Sequence, residues 1–259
     1  MKKVRAKKQL GQHFLNDPNI AMDTVDAFGQ LGNFKHAIEV GPGMGVLTKP
    51  LIARNDLKTT VVDIDQESIA WLAEEGYLKD EQIISGDFLQ LDLNHLFKGE
   101  DFGIIGNFPY NISTQILFKA LEYRSNCKEV VGMFQKEVAD RIACRPGSKV
   151  YGITSVLLQA YYHIDYLFTV EPEVFDPPPK VKSAVIRLRR NEVEKLDCDE
   201  KKFKQIIKMS FNQRRKTLRN SLKALLSDEM KQDDFFNKRP EQLSVAEFIQ
   251  LTQRLQAEG

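Results

Sequence analysis

His36-Ala-Ile-Glu-Val40, followed at once by Gly41-Pro-Gly43-Met-Gly45, reads as a buried strand running into a glycine-rich turn. A short apolar run with β-branched residues, bounded by turn residues, suits a strand covered on both faces, as in a parallel sheet. Glycines after it let the backbone bend tightly and approach a ligand closely. In doubly wound α/β sheets, a loop at the carboxyl end of the first strand is where nucleotides sit. No Gly-Lys-Ser/Thr follows, which excludes a P-loop, and Val46 occupies the place of the third glycine of the dinucleotide fingerprint.

Outward from this turn, strand and helix patterns alternate. Residues 59–65, 81–85, 101–107 and 129–134 read as further strands. Between them, Gln66–Glu75 and Ser113–Tyr123 have helical periodicity, with Ile116, Leu117, Ala120 and Leu121 making one apolar stripe. Asp17-Pro18 is a helix start, an acceptor followed by proline at the first helical position. Residues 163–170 and 183–190 are two more strands with no long helix between them, which predicts an antiparallel pair closing one edge. The expected fold is therefore a doubly wound α/β sheet with that edge pair. After Arg190 the composition turns polar, and from Lys201 onward only helical patterns remain, with a capping box at Ser244–Glu247. The predicted division is an α/β domain over 1–195 and a small helical domain over 196–259.

The 259 residues, 42% hydrophobic and 28% charged, are those of a globular chain. Cys127, Cys144 and Cys198 are too scattered for a disulfide framework, and His13, His36, His95 and His163 lack metal-ligand spacing, so no metal is expected. No run is long enough to span a membrane, and the N-terminus lacks the apolar region of a secretory signal; a soluble protein of a reducing compartment, the cytoplasm, is expected. The net charge of +1 hides two basic islands: Lys2, Lys3, Arg5, Lys7 and Lys8, and then a second from Lys201 to Arg219 that includes Arg214, Arg215 and Lys216. Two such islands on an otherwise acidic chain suggest a polyanion held at defined places.

Chemistry-bearing residues recur at successive strand ends. Gly-x-Gly-x-Gly at Gly41–Gly45 resembles the S-adenosylmethionine loop of class I methyltransferases. Asp63-Ile64-Asp65 ends the second strand, where an acid can accept from ribose hydroxyls; Asp65 reads as the cap of the following helix. Asp87-Phe88 ends the third, where a carboxylate can accept from an adenine amino group beside an apolar ring. Asn107-Phe108-Pro109-Tyr110 ends the fourth. An exocyclic amine on adenine is a poor nucleophile, because its lone pair is delocalised into the ring. Acceptors from the Asn107 side chain and a loop carbonyl can hold its N–H bonds, while Tyr110 offers a π face to a base taken out of its helix.

Together with Lys7-Lys8-Gln9-Leu10-Gly11-Gln12-His13-Phe14-Leu15 and Phe175-Asp-Pro-Pro-Pro-Lys180-Val-Lys-Ser183, these motifs resemble the ribosomal RNA adenine dimethyltransferases over nearly the whole chain. The likeness is strongest to the branch that modifies two adjacent adenines in the 3′-terminal hairpin of small-subunit (16S) rRNA. It implies an S-adenosyl-L-methionine cofactor held by His13, Leu15, Gly41, Gly43, Asp63, Ile64, Asp87, Phe88 and Asn107. It implies catalysis by Asn107, Phe108, Pro109 and Tyr110, with Phe175 as a second aromatic plate opposite Tyr110. RNA contacts are expected from Lys7, Lys8, Arg214, Arg215, Lys216 and Arg219, the partner being a precursor of the small ribosomal subunit and the protein a monomer. Three positions depart from the family's usual residues: His13 for Asn, Asp63 for Glu, and Phe108 for Leu. The alternatives are a large-subunit rRNA methyltransferase of the Erm type, a ribosome-assembly factor that binds without turnover, and a nicotinamide dehydrogenase, against which the missing third glycine speaks.

Overall fold

The structure, a computed structural model, describes residues 4–30, 33–213 and 215–257. In chain order the main elements are β1 (Phe14–Leu15), α1 (Pro18–Asp26), β2 (His36–Val40), α2 (Thr48–Ile52), β3 (Lys58–Asp63), α3 (Gln66–Glu75), β4 (Ile83–Ser85), α4 (Leu93–Phe97), β5 (Phe102–Asn107) and α5 (Ser113–Glu122). There follow β6 (Cys127–Gln135), α6 (Lys136–Ala143), α7 (Ile153–Gln159), β7 (Tyr162–Val170), β8 (Phe175–Asp176), β9 (Ser183–Arg190), α8 (Glu200–Asn212), α9 (Leu218–Ser221) and α10 (Val245–Ala257).

Contacts divide the chain into two compact units. The first contains the chain up to Ala139 and His163–Arg190; the second contains Asp140–Tyr162 and the residues from Asn191 on. Residues 140–162, which the linear reading places with the α/β domain, thus group with the C-terminal helices.

In the first unit, seven strands run in the order β4-β3-β2-β5-β6-β9-β7. β2 lies parallel to both neighbours, with Ile38 opposite Thr60 on β3 and opposite Ile104 on β5. β9 is antiparallel to β6, pairing Gly132 with Ile186, and β7 lies outside it, so the antiparallel edge anticipated from the sequence is present. Ala37, Ile38, Ile104 and Ile105 are fully buried, as central strands covered on both faces require. One core cluster joins Leu15, Ala21, Val25, Phe28, Leu47 and Leu51 to Ile105, Val131 and Met133 of the sheet. Asp17 caps α1 through the Asn19 and Ile20 amides, and Asp65 caps α3 through the Glu67 amide.

In the second unit, α8 opens on an Asp199 cap and buries Phe203, Ile206 and Ile207. Ser244 and Glu247 close the capping box in front of α10, and Arg254 pairs with Asp233 at 2.6 Å. After Lys201 the described residues form helices and helical turns and no strand, as the sequence reading has it, but the elements between α8 and α10 are short. Among the described residues between Asn212 and Ser244 the chain makes only the four-residue α9 and short 3₁₀ turns. Asp233, which caps one of these turns, and Pro240, which starts another, restart the chain before any helix can lengthen.

Candidate active site

The carboxyl ends of β2, β3 and β5 and the loop after β4 converge on a cavity of about 240 Å³. It opens where β2 has β3 on one side and β5 on the other, the point at which the strand order reverses. Gly41, Gly43, Asp63, Ile64, Asp87, Asn107, Phe108, Pro109 and Tyr110 all line it, as does His13. Leu10, Gly11, Gln12, Phe14, Leu89, Asn111 and Ile112 complete the wall, and sequence reasoning had not picked them as site residues. Their signal was weak, because Leu10, Gly11, Gln12 and Phe14 lie in an arm without sustained periodicity and Leu89, Asn111 and Ile112 in short turns.

Gly43 sits at φ 55°, and a Cβ there would lie 2.8 Å from the ring of Phe14. The turn is therefore pressed against the arm with no room for a side chain. Asp63 accepts the Asp65 amide at 2.9 Å, and burial pushes its carboxyl up to about 6 despite the backbone N–H groups aimed at it. Ile64 is 56% exposed at the cavity wall, an apolar surface suited to the face of a flat ring. Asp87 spends one oxygen on the Leu89 amide at 2.9 Å, and the Leu89 carbonyl in turn accepts from Lys119 Nζ at 2.9 Å. Beneath the turn, Glu39 is buried without a partner for Oε2, and burial raises its carboxyl to about 8.

Asn107 donates from Nδ2 to the His13 carbonyl at 2.8 Å, which turns its amide oxygen away from that carbonyl. Tyr110 is anchored by its hydroxyl to Ser183 Oγ at 2.5 Å, and its ring is stacked with His13, centroids 5.3 Å apart at 30°. His13 is itself held by a 2.7 Å bond between Nδ1 and the Pro177 carbonyl. Phe108 points the other way. Its ring is 1% exposed, meets Phe134 edge-on at 5.3 Å, and fills the space that a side chain at Gly132 would need. The second residue of the tetrapeptide thus anchors the loop, and what it offers the cavity is backbone.

Three anticipated site residues lie off the cavity wall. Phe175, expected as a plate opposite Tyr110, is 3% exposed in the core, where its strand β8 pairs with β1 and sets it opposite Leu15. The ring that covers Tyr110 belongs to His13. Leu15 is buried in the same cluster, and the buried ring of Phe88 lies under the Lys119 ammonium, 5.7 Å from its centroid. Among the expected RNA contacts, Lys7 is bonded to Asp65 and Glu67 and is no free cation. Lys8, Arg215 and Lys216 are exposed, whereas Arg219 is half-buried and donates to the Asp233 carbonyl at 3.2 Å. Arg214, like Lys2 and Lys3, lies outside the described residues. Among the described residues no acid, histidine and cysteine group is arranged to hold a metal ion, and no helix is long and apolar enough to cross a membrane.

The donor set fits S-adenosylmethionine: a carboxylate for ribose hydroxyls, a second for an amino group, an apolar wall, and a glycine turn closed to side chains. A seven-stranded sheet of this order with that cavity at its switch point defines a class I methyltransferase, an S-adenosylmethionine-dependent enzyme. The model of one family, described as ribosomal RNA adenine dimethylase, matches residues 3–257, and the chain belongs to that family. It is 57% identical to a ribosomal RNA small subunit methyltransferase A of Cytophaga hutchinsonii, over 98% of this chain and 99% of the relative. To the protein of the same name from Flavobacterium johnsoniae it is 54% identical, over 100% and 99%. Among solved structures, a dimethyladenosine transferase from Plasmodium falciparum superposes with a TM-score of 0.80 at 24% identity, over 95% of this chain and 98% of that one. The 23S rRNA methyltransferase ErmE superposes at 0.67 and 23%, over 93% and 99%; both likenesses speak for the fold.

Proposed function

We propose that this enzyme transfers methyl groups to N6 of two adjacent adenines in the 3′-terminal hairpin of small-subunit rRNA, as a monomer acting in the cytoplasm on a late precursor of the subunit. The observation that carries the chemistry is the Asn107 amide, whose nitrogen is committed to His13 and whose oxygen is left to accept. Asn107 Oδ1 and a carbonyl of the Phe108–Pro109 backbone hold the two N–H bonds of the target amine and favour a pyramidal nitrogen whose lone pair points at the methyl donor. The cofactor, when bound, supplies an electrophilic methyl on its sulfonium sulfur. Asp63 would hold the ribose, Asp87 the amino group of the cofactor's adenine, and Ile64 would cover a face of that ring. Methyl transfer would form the N6–C bond as the sulfonium's S–C bond breaks to leave a thioether, and the methylated nitrogen would give its proton to water, so no strong base would be needed. The work is positioning and electrostatics.

The target base stacks beside the Tyr110–His13 pair. Lys8, Arg214, Arg215 and Lys216 meet RNA phosphates, those of residues 196–259 acting as the RNA-binding domain. Recognition is of shape and of a splayed base, as suits an RNA hairpin. The names of the 54–57% identical relatives support the small subunit as substrate.

The test is incubation with radiolabelled S-adenosylmethionine and small subunits lacking adenine dimethylation, followed by mapping of the modified nucleosides. N6,N6-dimethyladenosine in the 3′-terminal hairpin, absent with Asn107→Ala, is the expected result. Label confined to large-subunit RNA offered in parallel would overturn the substrate. No label on any RNA, with subunit binding intact, would leave a binding factor.

A further inference from the structure

The N-terminal arm supplies Leu10, Gly11, Gln12, His13 and Phe14 to the cavity wall, yet little backbone pairing holds it there. Its one 3₁₀ turn closes on itself, with Leu10 and Gly11 amides bonded to Lys7 and Lys8 carbonyls, and its ladder with β8 begins only at Phe14. Among the described residues, the side-chain hydrogen bonds that Lys7 and Gln12 make from this stretch to the body converge on one carboxylate. Asp65 Oδ1 takes Lys7 Nζ at 2.5 Å, and Asp65 Oδ2 takes Gln12 Nε2 at 3.0 Å. Gln12 Oε1 accepts the Lys7 amide at 2.8 Å, so Lys7, Gln12 and Asp65 close a ring of hydrogen bonds. The Asp65 side chain is fully covered, while Lys7 keeps 31% of its side chain exposed and reaches Glu67 at 3.1 Å as well. The Asp65 amide is meanwhile bonded to Asp63 Oδ1, so one short turn carries both the arm's anchor and an acid of the cavity wall.

We infer that Lys7 and Asp65 are positioning residues for cofactor binding: their ion pair holds the arm across the cavity as its outer wall, and Lys7 does not serve as an RNA contact. This rests on the reading that the cavity takes S-adenosylmethionine. A buried carboxylate that loses its cation is costly to leave in place, so breaking the pair releases the arm. With the arm released, only the fraction of molecules that keep the wall closed binds well, and apparent affinity falls by that fraction. An ammonium already shared by two carboxylates is neutralised where it stands and draws a phosphate weakly.

The experiment uses the full chain with Lys7→Met, Lys7→Arg and Asp65→Asn. Asparagine retains the cap on α3, so helix loss does not confuse the result. S-adenosylmethionine binding is followed by calorimetry, and KM is measured separately for the cofactor and for undermethylated small subunits. Lys7→Met is expected to raise the cofactor's Kd and KM roughly tenfold, with KM for the subunit unchanged. Lys7→Arg should stay near the wild type, and adding Asp65→Asn to Lys7→Met should cost little more than Lys7→Met alone. Unchanged cofactor affinity in Lys7→Met overturns the inference, whether or not subunit binding weakens. Asp87→Ala is the control on the underlying reading: if it too leaves cofactor affinity intact, the cavity is not the cofactor site and the failure lies there.

Discussion

Asn107 Nδ2 and the His13 carbonyl lie 2.8 Å apart, and this contact fixes the direction of the amide at the centre of the site. A carbonyl can only be met by the NH₂ end, so the oxygen is left to accept. Asn107→Ala removes the acceptor, and kcat is expected to fall roughly a hundredfold or more, the loss typical of a deleted group that stabilises developing charge. Asn107→Asp should behave differently, because it sets a carboxylate against the His13 carbonyl. Single-turnover methylation together with cofactor titration would show the aspartate variant losing both rate and S-adenosylmethionine affinity. Equal cofactor affinity in the two variants would refute this account.

Asp63 should make cofactor binding pH-dependent. Its carboxyl is raised to about 6 by burial, against backbone N–H groups that favour the charged form. A protonated acid is the poorer acceptor for ribose hydroxyls, so KM for S-adenosylmethionine should rise as pH falls through 6 and level off above about 7. In Asp63→Asn the same titration should be flat. A profile still inflected near 6 in that variant assigns the effect to another group.

Glu39 bears on stability. Burial raises its carboxyl from 4.5 to about 8, so the folded protein holds a proton that the unfolded chain has released across that window. Stability therefore declines as pH rises between those values, since the folded state binds the extra proton. Glu39→Gln should flatten the dependence and be the more stable protein at pH 8, by an amount of order 1 kcal/mol or more. Thermal melts of both proteins at pH 5.5 and pH 8 measure it. A variant melting lower at pH 8 would mean that the carboxylate is used in its charged form.

Gly132→Ala tests the anchor under the tetrapeptide. Its Cβ would meet the ring of Phe108, which cannot swing away because Phe134 lies behind it. Overpacking of a dense core costs about 1–3 kcal/mol, and here the strain falls on the loop that carries Asn107 and Tyr110. Denaturant unfolding should show the lost stability, and kcat should fall with it. Adding Phe108→Leu should restore part of both. No rescue by the leucine would place the strain elsewhere.

Much of this was legible in the sequence. Strand ends write themselves in the chain as an apolar run closed by glycine or acid, and Gly41, Asp63, Asp87 and Asn107 stand at four successive ones. A cavity at the carboxyl ends of parallel strands collects just such residues. Side-chain direction was not legible. Phe108 precedes Pro109 and Phe175 stands just before Pro177–Pro179, as a stacking residue would, yet both turn inward, while the histidine of the arm covers Tyr110. Pairing across long separations was equally silent: Lys7 looked like part of a basic run because Asp65 is 58 residues away. Helix length after Lys201 was not legible for a local reason, as polar segments capped by Asp and Pro share composition with longer helices but restart every few residues.

The inward turn of Phe108 divides the tetrapeptide into two kinds of inheritance. In the proposed reaction positions 107 and 110 answer to the base being modified, whereas position 108 answers to Gly132 and Phe134 on the neighbouring strand and its packing. Exchange of leucine for phenylalanine at that place is then a transaction between a loop and a sheet, invisible to the substrate. Two enzymes of this kind can differ in the spelling of their most recognisable motif and still present the same face to an adenine.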